Sequence, residues 1–168
     1  MNKSAEDDFR SFVEGRWPRL LRTAYLLTGH HQDAEDLVQA ALARAYTRWE
    51  RVRNARDPEA YVWRILINTN ADRIRRRRLG EWLTQWLPER AAPDRTDQLV
   101  ERSLLLDALR RLPARQRATV VLRYLEDRSE TEVAELLGTG VGTVRSHTAR
   151  ALARLRAELP RLTTSETV

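Results

Sequence analysis

The side chains best suited to chemistry in this sequence are arginines. All but one of the 30 basic residues are arginine, the exception being Lys3, and each offers a planar fork of donors that matches a phosphate or the edge of a guanine. Codon usage in a GC-rich genome enriches arginine too, so spacing has to decide. Between Val141 and Leu159, an apolar stripe of Val141, Val144, Thr148, Ala151, Leu152, Leu155 and Leu159 turns Thr143, Ser146, Ala149, Arg150 and Ala153 the other way, flanked by Arg145, His147 and Arg154. Small residues beside arginines allow close approach to a major groove, where a bidentate arginine–guanine pair discriminates by about 1–3 kcal/mol. Arg145 and Arg150 are the candidate readers. A solvated helical hairpin has the same pattern. Between Pro58 and Arg78, a second arc holds Tyr61, Arg64, Asn68, Ala71, Arg75 and Arg78 beside apolar Val62, Ile65, Leu66 and Thr69. The run Arg75 to Arg78 can neutralise phosphates, and Tyr61, Trp63 or Trp49 can offer faces to unpaired bases. Those aromatics are equally the material of a core, and the arginines a solvated helix end.

Other chemistries find no anchor. Asp33, Glu35 and Asp36 crowd what reads as a first helical turn, where carboxylates offset the helix dipole, and the neighbouring His30 and His31 lack a metal-ligand spacing. There is no cysteine, no glycine-rich phosphate loop, no Gly-x-Ser-x-Gly and no His-Glu-x-x-His. No catalytic residue, metal or cofactor is expected. No apolar run reaches membrane-spanning length and the N-terminus is acidic and polar, so a soluble, cytoplasmic protein without membrane insertion is expected.

The elements that must position these residues are helices. With 6 glycines and 6 prolines in 168 residues, the chain reads as all-α: two small helical domains joined by a flexible linker, the second a helix-turn-helix. A first helical segment runs from Glu6 to Thr28, with Pro18 able to begin a second helix and Gly29 ending it. A helix from near Asp33, whose side chain could cap it, buries Ala34, Leu37, Val38, Ala41, Leu42, Ala45 and Trp49. A polar connection from Arg51 to Asp57 precedes a helix from Pro58 to about Arg78. Apolar spacing lapses over 80–97. Helices are then expected from Leu99 to Leu112, from Pro113 through Tyr124, from the capping box Ser129/Glu132 to Gly138, and from Val141 to Leu159. Residues 1–87 hold 16 basic and 12 acidic side chains and residues 98–168 hold 12 and 9. Each half is separately basic, which favours a polyanionic partner for both.

Four motifs in order then carry a resemblance. Asp36-Leu37-Val38-Gln39-Ala40-Ala41, Ala60-Tyr61-Val62-Trp63-Arg64-Ile65-Leu66-Ile67-Asn68, Leu112-Pro113-Ala114-Arg115-Gln116-Arg117 and Val141-Gly142-Thr143-Val144-Arg145-Ser146 resemble the extracytoplasmic-function (ECF) group of bacterial sigma-70 factors. The resemblance implies sigma region two over 1–87, a linker over 88–98 whose composition shift begins near 80, region four over 99–160, and a tail over 161–168. It implies that Asp36 and Gln39 meet the beta-prime clamp helices of core RNA polymerase. It implies that Val52, Arg53, Tyr61, Arg64, Asn68 and Arg75 engage the minus-ten element, with Asn68 matching the family asparagine near a flipped base. Arg145, Ser146, Ala149 and Arg150 would read the minus-thirty-five element, near the beta flap. Core polymerase and promoter DNA are the implied partners, and an anti-sigma factor is a further candidate. Ala40, Leu42 and His147 depart from the family's usual acidic, aromatic and arginine residues. A stand-alone helix-turn-helix regulator is the alternative, since it shares the Val-Gly-Thr-Val-Arg pattern.

Overall fold

The computed structural model describes residues 2–84 and 104–164, with side chains through 83 in the first stretch and through 158 in the second. Helix α1 (Lys3–Thr28) starts where the Asn2 side chain accepts from Ser4 N at 2.9 Å. It passes unbroken through Pro18, contrary to the expectation of a second helix there. Leu20, Ala24 and Leu27 after the proline, and Phe9, Phe12, Val13 and Trp17 before it, pack on the same core, so burial on both sides outweighs one lost backbone hydrogen bond. Gly29 ends the helix at φ +80°, a conformation that favours glycine, and donates its N–H to Tyr25 O at 2.7 Å.

Helix α2 (His31–Tyr46) begins two residues ahead of Asp33. Asp33 therefore lies within the first turn and does not cap it. The polar connection contains a short helix, α3 (Trp49–Arg53), which carries the buried Trp49. Asp57 then accepts from Ala60 N at 2.9 Å, and α4 (Pro58–Thr84) runs six residues past Arg78. Leu37 and Val38 of α2, with Val62, Trp63 and Leu66 of α4, are sealed from solvent where these helices meet α1.

The second half comprises α5 (Leu104–Arg111), α6 (Ala114–Val120) running into a π-helical turn over Val121–Leu125, α7 (Glu130–Leu137) and α8 (Val141–Thr164). Ser129 and Glu132 close the expected capping box, with Glu132 N donating to Ser129 Oγ at 3.1 Å and Ser129 N to Glu132 Oε2 at 2.7 Å. Gly138, at φ +63°, ends α7. Leu109, Val121, Leu122, Val133 and Val144 form the core of this half. The expected linker over 88–98, the start of the helix expected from Leu99, and 165–168 lie outside the described residues. Among the described residues, no helix is long and apolar enough to cross a membrane.

Candidate nucleic-acid interface

On α4, the buried residues fix which way the polar arc faces. Val62, Ile65, Leu66 and Thr69 are buried, while Arg64, Asn68 and Arg75 are exposed and Tyr61 is half-buried on the same side. Trp63 and Trp49 are 1% and 4% exposed, so neither offers a face to a base. Trp63 belongs to the core and donates its Nε1 to Glu59 at 3.4 Å. Val52 is likewise sealed, at 0%. Its side chain packs inside the core and is not available to DNA, so α3 presents Arg51 and Arg53 instead. Arg53 is held by Glu50 at 3.0 Å and Asp8 at 3.3 Å.

Two ion-pair sets fasten α4 to α2. Asp33 receives Arg73 at 3.2 Å and Arg77 at 3.1 Å, and Asp72 receives Arg44 at 3.0 Å. Burial alone pushes the Asp33 carboxyl up, but the Arg73 charge and the Arg77 hydrogen bond and charge outweigh it and hold the group below its ordinary value. The hydrogen bond from Arg44 likewise lowers Asp72. One of the three carboxylates at the start of α2, Asp33, thus serves helix packing. Asp36 and Gln39 point away from the helix bundle and are exposed, with Gln32 Nε2 donating to Asp36 Oδ1 at 3.1 Å.

In the second half, the helix-turn-helix of α7 and α8 presents Arg145, Ala149 and Arg150 to solvent and leaves Ser146 half-buried beside them. Val144, Ala151 and Leu155 anchor the opposite face. Arg145 donates its Nε to Glu130 Oε2 at 2.8 Å. Glu130, at the first position of α7, was not singled out by the sequence pattern. The Arg145 side chain remains exposed at the start of α8.

Comparison with known proteins decides what these faces belong to. Residues 12–80 match Sigma-70 region 2, and residues 102–155 match Sigma-70, region 4. The RNA polymerase sigma-E factor of Streptomyces coelicolor is 46% identical over 90% of this chain and 86% of its own length. The ECF RNA polymerase sigma factor SigL of Mycobacterium tuberculosis is 34% identical over 85% of this chain and 84% of its own. The chain belongs to the ECF group of the sigma-70 family. The solved sigma factor RpoE of Bartonella quintana, determined in complex with the anti-sigma factor NepR, shares 26% identity and superposes with a TM-score of 0.74, covering 91% of this chain and 97% of that one. As an ECF sigma factor, the protein acts in transcription initiation with core RNA polymerase and contributes no catalytic group. A stand-alone helix-turn-helix regulator would leave the region 2 match over α1 to α4 unexplained.

Proposed function

We propose that this sigma factor divides promoter recognition between its two basic halves. Residues 1–87 act as region two and residues 99–160 as region four, joined through 88–98. The observation that carries the reading is the pair of outward polar and cationic faces, on α4 and on the start of α8, each on a helix whose opposite face is buried. Arg145, Ser146, Ala149 and Arg150 meet the minus-thirty-five duplex, where the first turns of a recognition helix reach base edges. Arg53, Tyr61, Arg64, Asn68 and Arg75 meet the minus-ten element. There the arginines hold phosphates, Tyr61 supplies a stacking face, and the Asn68 amide pairs with an exposed base edge. Asp36 and Gln39, exposed and one helical turn apart on α2, dock on the polymerase clamp helices, and region four lies near the beta flap. The solved complex of RpoE with NepR supports an anti-sigma factor as a further partner, and work with polymerase places the protein in the cytoplasm.

Reconstitution with core polymerase on a cognate promoter tests the division. Asn68→Ala is expected to leave core binding unchanged and to reduce permanganate reactivity of thymines in the promoter bubble by about tenfold, equivalent to about 1.4 kcal/mol. Unchanged reactivity would remove Asn68 from strand opening.

A further inference from the structure

The two indole rings that sequence spacing offers to a base, Trp49 and Trp63, are sealed in the core, and Trp17 is half-buried. Among the tryptophans with described side chains, Trp82 is the exposed one. It is 63% exposed, with Leu79 at 58% and Leu83 at 54% beside it on the last turns of α4. Water-facing apolar side chains grouped on one helix mark a surface that a partner covers. Their position on the helix says which partner. At about 100° per residue, Trp82 lies within about 40° of Asn68 and about 20° of Arg75 around the axis, so it continues the outward arc of Tyr61, Arg64, Asn68 and Arg75. Between Asn68 and Trp82 the helix carries Arg75, Arg76, Arg77 and Arg78, all exposed. Arg77 turns back to Asp33 at 3.1 Å and Arg75 approaches Asp72 at 3.6 Å, while Arg76 and Arg78 extend the cationic surface toward the ring.

We infer that Trp82 is a stacking platform for an unpaired base of the opened promoter, so that the single-strand track on α4 runs from Tyr61 past Asn68 and the arginines to this ring. The inference rests on the proposed assignment of the α4 face to the minus-ten element. Its chemistry is that of sequence-tolerant single-strand binding, in which cations follow the sugar-phosphate backbone and planar side chains take the face of whichever base arrives. Asn68 reads an edge and Trp82 holds a face. About 21 Å of helix rise separates the two side chains, the length of about six nucleotides stacked at about 3.4 Å each. They therefore grip two different points of one opened region, and the arginines between them neutralise the intervening phosphates. Paired bases bury their faces against their neighbours, so a ring of this kind binds the open form and not the closed one, and shifts the equilibrium toward opening by that difference. Leu79 and Leu83 sit one helical turn apart beside the ring and give the stacked base an apolar margin. A lipid surface would accept the leucines as readily, but it has no use for register with Asn68.

Holoenzyme reconstituted from core polymerase and the full chain, on promoter DNA with a mismatched and therefore pre-opened bubble, tests the platform. A fluorescent adenine analogue, quenched where it stacks on an indole, is placed in turn at each unpaired position of both strands. Quenching that depends on Trp82 is expected at one position, and the strand that carries it shows which strand the track follows. Trp82→Ala should release that quenching and weaken bubble binding about tenfold, the scale of one base stack, with binding to core and to fully paired promoter unchanged. Trp82→Phe should keep most of the affinity. Trp82→Leu should behave as the Ala variant does, because leucine keeps apolar surface and loses the planar face. Since Trp82 is exposed near the end of α4, helical circular dichroism should be unchanged in all three, and the comparison of Phe with Leu holds even if the Ala variant loses helix. An Ala variant that binds the bubble as tightly as the parent would overturn the platform. A Leu variant as tight as the Phe variant would overturn it too, leaving an apolar docking patch, as would an equal loss on paired DNA or a loss of core binding. Asn68→Ala in the same assay separates the two readings. If both variants are silent, the minus-ten assignment of α4 fails; if Asn68→Ala weakens binding and Trp82→Ala does not, the platform alone is lost.

Discussion

Arg145 donates its Nε to Glu130 across the turn between α7 and α8, and this fixes which edge of the guanidinium is left for DNA. An exposed pair of this kind contributes about 0–1 kcal/mol to stability, so its effect lies in orientation: Nε is engaged by the carboxylate, which leaves the two terminal nitrogens as the donors that match the two acceptors of guanine. Arg145→Ala is therefore expected to weaken holoenzyme binding to the minus-thirty-five element by about 1–3 kcal/mol and to relax discrimination at one base pair. Competition between duplexes differing at that base pair measures it, and an equal loss on random duplex would reassign Arg145 to a phosphate. At this scale the sequence was legible where spacing separates an outer from an inner face, as for Arg145, Ala149 and Arg150. It was not legible for Val52, Trp49 and Trp63. An aromatic ring beside arginines looks the same in a string of letters whether it stacks on a base or fills a core, and only the packing of α1 against α3 and α4 decides.

Between elements, α2 and α4 are held by side chains at their ends. Asp33 sits at the start of α2 and draws in Arg73 and Arg77, which lie one turn apart on α4. Because the folded-state carboxyl titrates below its ordinary value near 3.8, the pairing stabilises the fold fully above that value and is lost as the pH falls through the lowered folded value. Asp33→Asn is expected to be less stable than the parent at neutral pH, with the difference closing below about pH 4. Urea midpoints across an acid series measure it, and a difference that stays constant with pH would place the Asp33 contribution in something other than its charge. The helices themselves were largely legible, since apolar periodicity, Pro58, the Ser129 box and Gly138 each leave a local mark. Asp33 as an ion-pair partner was not, because a carboxylate in a first turn satisfies a cap, a dipole or a distant arginine with the same residue. Pro18 misled for a related reason: the cost of a proline inside a helix is local, whereas the burial that outweighs it comes from helices that lie elsewhere in the chain.

Across the whole molecule, Arg117 is among the side chains that join the halves. Arg117, the last residue of the Leu-Pro-Ala-Arg-Gln-Arg motif, donates to Leu109 O at 2.8 Å, Arg110 O at 2.7 Å, Leu112 O at 3.1 Å and, from the other half, Leu27 O at 2.8 Å. Burial, followed by the nearby charges of Arg110 and Arg73, lowers its pKa below the ordinary arginine value, yet at neutral pH the group stays charged and its fork gathers carbonyls at the end of α5 and the end of α1. Nothing in the periodicity of the sequence marks such a residue, because its partners are backbone atoms 5 to 90 positions away. Arg117→Ala leaves those carbonyls without their donors and is expected to lower stability by about 2–4 kcal/mol. Arg117→Lys should restore less than half of that, since a compact ammonium cannot reproduce the fork. All 5 tryptophans, from Trp17 to Trp86, precede the region 4 match that begins at residue 102, so tryptophan fluorescence follows the part of the chain ahead of region four while circular dichroism follows both halves. In the parent the two urea transitions should coincide, as cooperative unfolding requires; in Arg117→Ala they should separate, with region four melting first. Transitions that remain superimposed in the variant would show that the halves are coupled through the apolar core alone and that Arg117 serves only the turn between α5 and α6.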